Sequence, residues 1–136
     1  MKVLMVEPGF APYETEINGL REMQQAVGGR IQAIYPFDEQ VGVVCNDEGI
    51  INGLPFNRSM PGGYEGVCGN FFVCGLGEED FCSLTPEQMQ KYKKFFHNPE
   101  ILLGTDGKGP VTLKVEPQIK VKKPAEKQRD TPPGRE

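Results

Sequence analysis

Leu84-Thr85-Pro86-Glu87-Gln88-Met89 is the stretch that decides where the folded part of this chain closes. Thr85 is placed as the N-cap of a helix, and Pro86 stands at the first helical position, where its missing N–H costs nothing. Gln88 completes a capping box, and Leu84 and Met89 form a hydrophobic staple. Met89, Tyr92 and Phe96 then fall on one apolar face. Lys91, Lys93 and Lys94 suit the negative C-terminal end, and Pro99 stops the helix, which is read as Thr85–His97.

Upstream of that helix the pattern is mostly β. Lys2 to Glu7 is apolar on both faces and is placed centrally in a sheet. Tyr13, Thr15 and Ile17 alternate with Glu14 and Glu16, as in a strand with one wet face. Asn18 is positioned to cap a first helix with Leu20, Met23 and Val27 inward, stopped by Gly28-Gly29. Arg30–Phe37 and Gln40–Asn46 read as an antiparallel hairpin, with Ile31, Ala33 and Tyr35 on one face. Leu54–Asn57 is extended but irregular because Pro55 cannot donate to a ladder. Met60–Gly66 is a loop, and Asn70–Gly75 is a buried strand. The fold class is therefore α+β: a small, mostly antiparallel sheet of about five strands with two helices.

Downstream the composition changes. Residues 1–100 are read as the α+β domain and 101–116 as a linker, with Val111, Leu113 and Val115 alternating as a short edge strand. Residues 117–136 are read as a disordered basic tail, too rich in proline and charge to offset the entropy of ordering. From Lys108 onward there are eight Lys/Arg against four Asp/Glu, a net of +4, whereas the preceding residues hold seven against fifteen, a net of −8. An acidic body argues against wrapping nucleic acid; only weak contact through the tail is expected. No apolar run is long enough to cross a bilayer, and Met1-Lys2 leads straight into a short apolar run unlike a signal peptide. A cytoplasmic protein of the host cell is expected, with no membrane partner.

Candidate chemistry is sparse. Cys45, Cys68, Cys74 and Cys82 lack the C-x-x-C spacing, so no metal and no cofactor are expected, and Cys45 and Cys74 read as small buried hydrophobes. His97, the only histidine, is placed at a helix end, capping a terminal carbonyl. No nucleophile–base arrangement and no phosphate loop are in view, so no catalytic residue is assigned. The stretch from Asn46 to Arg58 is richer. Asn46, Glu48, Asn57 and Arg58 cluster around two turns and could form a ligand-binding rim, with Arg58 for an anion and the asparagines for a polar ring or ribose. Alternatively, the asparagines satisfy loop backbone groups while Glu48 and Arg58 are solvated. A second surface, Glu78-Glu79-Asp80 with Glu14 and Glu16, would suit a basic protein partner. An exposed edge of the Asn70–Gly75 strand would invite a homo-oligomer; the alternative is burial in the core.

In order along the chain stand V-E-P-G (Val6–Gly9), V-G-G (Val27–Gly29), Ile31-x-Ala33, C-N-D-E-G (Cys45–Gly49), G-L-P-x-N (Gly53–Asn57) and G-N-F-F-V-C-G-L-G-E-E-D-F (Gly69–Phe81). Together they resemble an uncharacterised domain-of-unknown-function family carried by bacteriophages, conjugative elements and their bacterial hosts. The resemblance covers roughly residues 1–100; the loop Ser59–Val67 and the basic tail fall outside it. It implies a compact α+β domain in a mobile-element setting and brings no catalytic residues. The function expected from it is that of a non-enzymatic accessory protein acting by binding. Such a protein would antagonise host defence by sequestering a small, nucleotide-like ligand or by blocking a protein partner. The alternatives are an enzyme acting on a nucleotide or protein at an unidentified site, or a structural adaptor.

Overall fold

A computed structural model describes residues 1–119. Its elements are β1 (Lys2–Val6), β2 (Tyr13–Glu16), α1 (Gly19–Val27), β3 (Ile31–Ile34), β4 (Val41–Asn46), β5 (Phe56–Arg58), β6 (Val67–Cys68), β7 (Phe71–Leu76), β8 (Phe81–Cys82), α2 (Pro86–Phe95), β9 (Glu100–Asp106) and β10 (Gly109–Lys114). The main sheet is six-stranded, in the order β2-β1-β7-β4-β3 with β8 also paired to β7, and every pairing in it is antiparallel. Two small two-stranded sheets, β5–β6 and β9–β10, complete the α+β architecture.

Strand alternation sorts the core into two layers. Leu4, Val6, Val43, Cys45, Phe71 and Val73 face one side and pack beneath Met89, Tyr92 and Phe96 of the α2 segment. Val3, Met5, Val44, Phe72 and Cys74 face the other and pack beneath Val27 of α1. One helix therefore covers each face, which is why β1, β4 and β7 are apolar on both sides. β7 stands at the centre of the strand order, with β1 beside it. Its burial answers the question of an exposed apolar edge there.

The capping signals before α2 act as read. The Gln88 N–H donates to Thr85 Oγ1 (3.1 Å) and the Thr85 N–H to Gln88 Oε1 (3.0 Å), while Leu84 and Met89 join the same apolar cluster. Phe96 is 2% exposed, and burying a ring of that size contributes about 2–3 kcal/mol. α1 differs in detail. Asn18 occupies the N-cap position but makes no side-chain cap; its Oδ1 accepts from the Met1 amine, and its own N–H donates to Glu22 Oε1 (2.7 Å). Leu20, expected to face inward, is exposed, leaving Met23, Ala26 and Val27 to make the contact. In the hairpin, β3 ends at Ile34, and Tyr35 is exposed rather than aligned with Ile31 and Ala33 in the core.

The segment read as a linker, 101–116, instead carries most of the antiparallel β9–β10 hairpin, so Val111 and Leu113 do lie in a strand, but one paired to Ile101 and Gly104 rather than to the body's sheet. It is tied back through Glu100, whose Oε1 accepts from Ser59 Oγ (2.7 Å) and Thr112 Oγ1 (2.9 Å). The first residues of the expected tail are also placed: the Gln118 N–H donates to Gly9 O (3.0 Å) and the Ala11 N–H to Gln118 O (2.9 Å). The remainder of that tail, 120–136, lies outside the described residues. Among the described residues no helix is long and apolar enough to cross a membrane.

Candidate binding cleft

The sequence groups Asn46, Glu48, Asn57 and Arg58 as one rim, and the structure divides them into two pairs. Asn57 and Arg58 sit on β5, beneath the end of β1, and both are 0% exposed. Asn57 Nδ2 donates to Val6 O (3.0 Å) and Gly69 O (2.8 Å), and its Oδ1 accepts from Arg58 Nη1 (2.7 Å). Arg58 Nε and Nη2 both donate to Phe96 O (3.0 and 2.9 Å), and Nη2 also donates to Phe10 O (2.8 Å). The guanidinium thus closes the C-terminal end of α2, the position read for His97, whose side chain is exposed. Burial pulls the Arg58 guanidinium down to about 10, against the opposing pull of Glu100. Every nitrogen of this guanidinium is occupied by a protein oxygen, so Asn57 and Arg58 are withdrawn from any accessible ligand.

Asn46 and Glu48 go elsewhere. Asn46 ends β4 and is nearly buried; its Nδ2 donates to Val27 O (3.1 Å), satisfying the end of α1, and its Oδ1 accepts from the Glu48 N–H (2.7 Å). That second bond starts a compact turn, continued by Asn52 N–H to Glu48 O (2.8 Å) and Leu54 N–H to Gly49 O (3.0 Å). The turn packs against β6 at Gly49, where a Cβ would stand 2.6 Å from Cys68 O. Only glycine fits so close an approach. Held in this way, Ile50 and Ile51 point outward, 74% and 81% exposed.

Beside that turn lies a cleft of about 660 Å³. Its floor is Ile34, Cys45, Val67 and Cys68; one wall is the 46–51 turn and the other is Gly63–Gly66, with Gln32 of β3 at the mouth. Asp47, Glu48 and Glu65 line it, and among the described residues no lysine or arginine does. Asp47 is paired outside the cleft with Arg30 (2.9 Å), while Glu48 and Glu65 are exposed. The far wall is anchored where Tyr64 Oη accepts from the Tyr35 N–H (3.4 Å) and where Gly62, at φ +75°, passes close over Pro36. Burial raises the Cys45 thiol to about 11, helped by Asp47, and raises Cys68 by the same desolvation, so neither is poised as a thiolate. Among the described residues no three His, Cys, Asp or Glu side chains converge as metal ligands.

Glu78, Glu79 and Asp80 form the exposed turn between β7 and β8. Asp80 Oδ1 accepts from the Phe81 N–H (2.7 Å) and lies beside Leu20 and Met23 of α1, whereas Glu14 is paired with Lys93 of α2 (3.1 Å), so the structure does not gather Glu14 onto the 78–80 turn. Glu65, Tyr64, Ile50 and Ile51 were not singled out from sequence. The signal available was the Ile50-Ile51 pair itself, two large aliphatic residues set between the Asp47-Glu48-Gly49 and Asn52-Gly53 turn signals.

The model of the family described as Domain of unknown function (DUF3846) matches residues 1–97. The chain belongs to this family. The match takes in the whole main sheet, both helices and the cleft, its span includes the loop Ser59–Val67 that was expected to fall outside the resemblance, and it stops before the β9–β10 hairpin. No curated protein and no solved structure matches this DUF3846 chain.

Proposed function

We propose that this DUF3846 protein acts by binding, and that its cleft takes a basic segment of another protein. The observation that carries this reading is the lining itself: Glu48 and Glu65, with no lysine or arginine beside them among the described residues, next to the exposed Ile50 and Ile51. Carboxylates in a concave surface raise the local concentration of cations, and flanking aliphatic side chains supply apolar contact area. A nucleotide-like ligand would bring phosphate charge to the Glu48 and Glu65 carboxylates, and Arg58, the cation that reading needs, is committed to Phe96 O, Phe10 O and Asn57. In the mobile-element setting implied by the resemblance, the partner would be a basic host protein, blocked by occupation of one of its segments.

Fluorescence anisotropy with a labelled lysine- and valine-containing peptide tests this reading. Binding to the full chain is expected, weakening about tenfold in Glu48→Gln/Glu65→Gln and falling as salt rises from about 50 to about 500 mM. Equal affinity for wild type and the double variant removes the cleft from the function.

A further inference from the structure

We infer that the bound segment is extended and joins the sheet as an added strand along the outer edge of β3; this rests on the cleft being the binding site. β3 is the last strand in its sheet, and among the described residues no strand pairs with its outer side. The direction of its backbone groups follows from the register. Ile31 faces Asn46, and the Asp47 N–H donates to Arg30 O (2.8 Å), so Arg30, Gln32 and Ile34 bond inward to β4. Ile31, Ala33 and Tyr35 therefore present their N–H and C=O groups outward. The Tyr35 N–H confirms this polarity by reaching Tyr64 Oη, on the cleft wall. Among the described residues no strand takes up the outward groups of Ile31 and Ala33, beside the cleft mouth.

The side chains point the same way. Sheet edges are ordinarily guarded by charge or proline. β2, at the opposite end of the sheet, carries Glu14 and Glu16, whereas Ile31-Gln32-Ala33-Ile34 carries neither charge nor proline. Gln32 and Ile34 line the cleft, so a strand laid against them sends every second side chain over the cleft, toward Glu48 and Glu65. Main-chain pairing supplies affinity, and the acidic wall selects basic residues at alternate positions. The occupant is thus a segment alternating basic with apolar residues, in β conformation.

The test compares two labelled peptides of equal charge, one alternating lysine and valine and one with its central valine replaced by proline, on the full-length wild type and on Ala33→Pro. Wild type is expected to bind the first about tenfold more tightly than the second. Ala33→Pro, which deletes one outward N–H, is expected to lose that preference while keeping its far-UV spectrum. If Ala33→Pro does not fold, the peptide pair on wild type still decides the matter. Equal binding of both peptides, with Glu48→Gln/Glu65→Gln still weakening both, overturns strand addition and leaves the cleft standing. No binding of either overturns both readings. A concentration-dependent dimer of wild type that Ala33→Pro abolishes would assign the edge to a second copy and overturn the inference.

Discussion

Asn46 with Glu48 and Asn57 with Arg58 look alike in sequence, each an asparagine joined to a charged neighbour beside a glycine-rich turn, and they end in opposite environments. The difference lies in what arrives from elsewhere in the chain. β5 is overlaid by Val6, Phe10 and Phe96, so its polar side chains meet carbonyls from three remote segments and become internal fastenings. β4 ends at the rim of the sheet, so of the polar side chains only Asn46 is drawn inward, and Asp47 and Glu48 stay in water. A polar side chain becomes structural when backbone acceptors crowd round it, and it becomes available when they do not.

The strongest way to break this comparison is Arg58→Ala. It strands the Phe96 and Phe10 carbonyls in a dry site, and a loss of about 3–5 kcal/mol is expected in urea unfolding. Asn57→Ala should follow at about 2–3 kcal/mol, since two buried carbonyls lose their donor. Asn46→Ala should cost about 1–2 kcal/mol, freeing Val27 O and loosening the 47–53 turn, with a secondary drop in peptide affinity. Glu48→Gln/Glu65→Gln should move stability by no more than about 0.5 kcal/mol while weakening peptide binding. Equal destabilisation by the Asn46 and Arg58 variants would erase the distinction. Thiol labelling near pH 8 refines it further. The exposed Cys82 should react first and Cys68 more slowly; Cys45, held up to about 11, and Cys74, held up to about 12, should resist. Bound peptide should slow Cys68 again.

The elements written locally were legible in sequence. The Thr85–Gln88 box and Leu84–Met89 staple depend on residues a few positions apart, and the two-faced apolar runs of β1, β4 and β7 announce burial on both sides. Leu20 misled because α1 meets the sheet mainly through its second half. β9 was missed because Ile101-Leu102-Leu103 lacks alternation, and strand formation there depends on β10, with a register shift at Val111/Thr112. Of the four residues grouped from sequence, Asn46 and Glu48 belong to a turn written locally, but burial of Arg58 on β5 is set by Phe96, 38 positions away, and Phe10, 48 positions away, which no local pattern encodes.

Those separations also set a timetable. The guanidinium can be stripped of water at acceptable cost only after the 7–11 turn, β5 and the end of α2 have assembled, because each supplies an oxygen that replaces a water. Loop closure over such distances comes late in folding. Arg58 should therefore have a φ-value near zero: its removal would leave the refolding rate almost unchanged and appear as faster unfolding. On that account, the residue most deeply fastened in the native state is the last to be engaged, and it governs how long the molecule stays folded rather than how quickly it gets there.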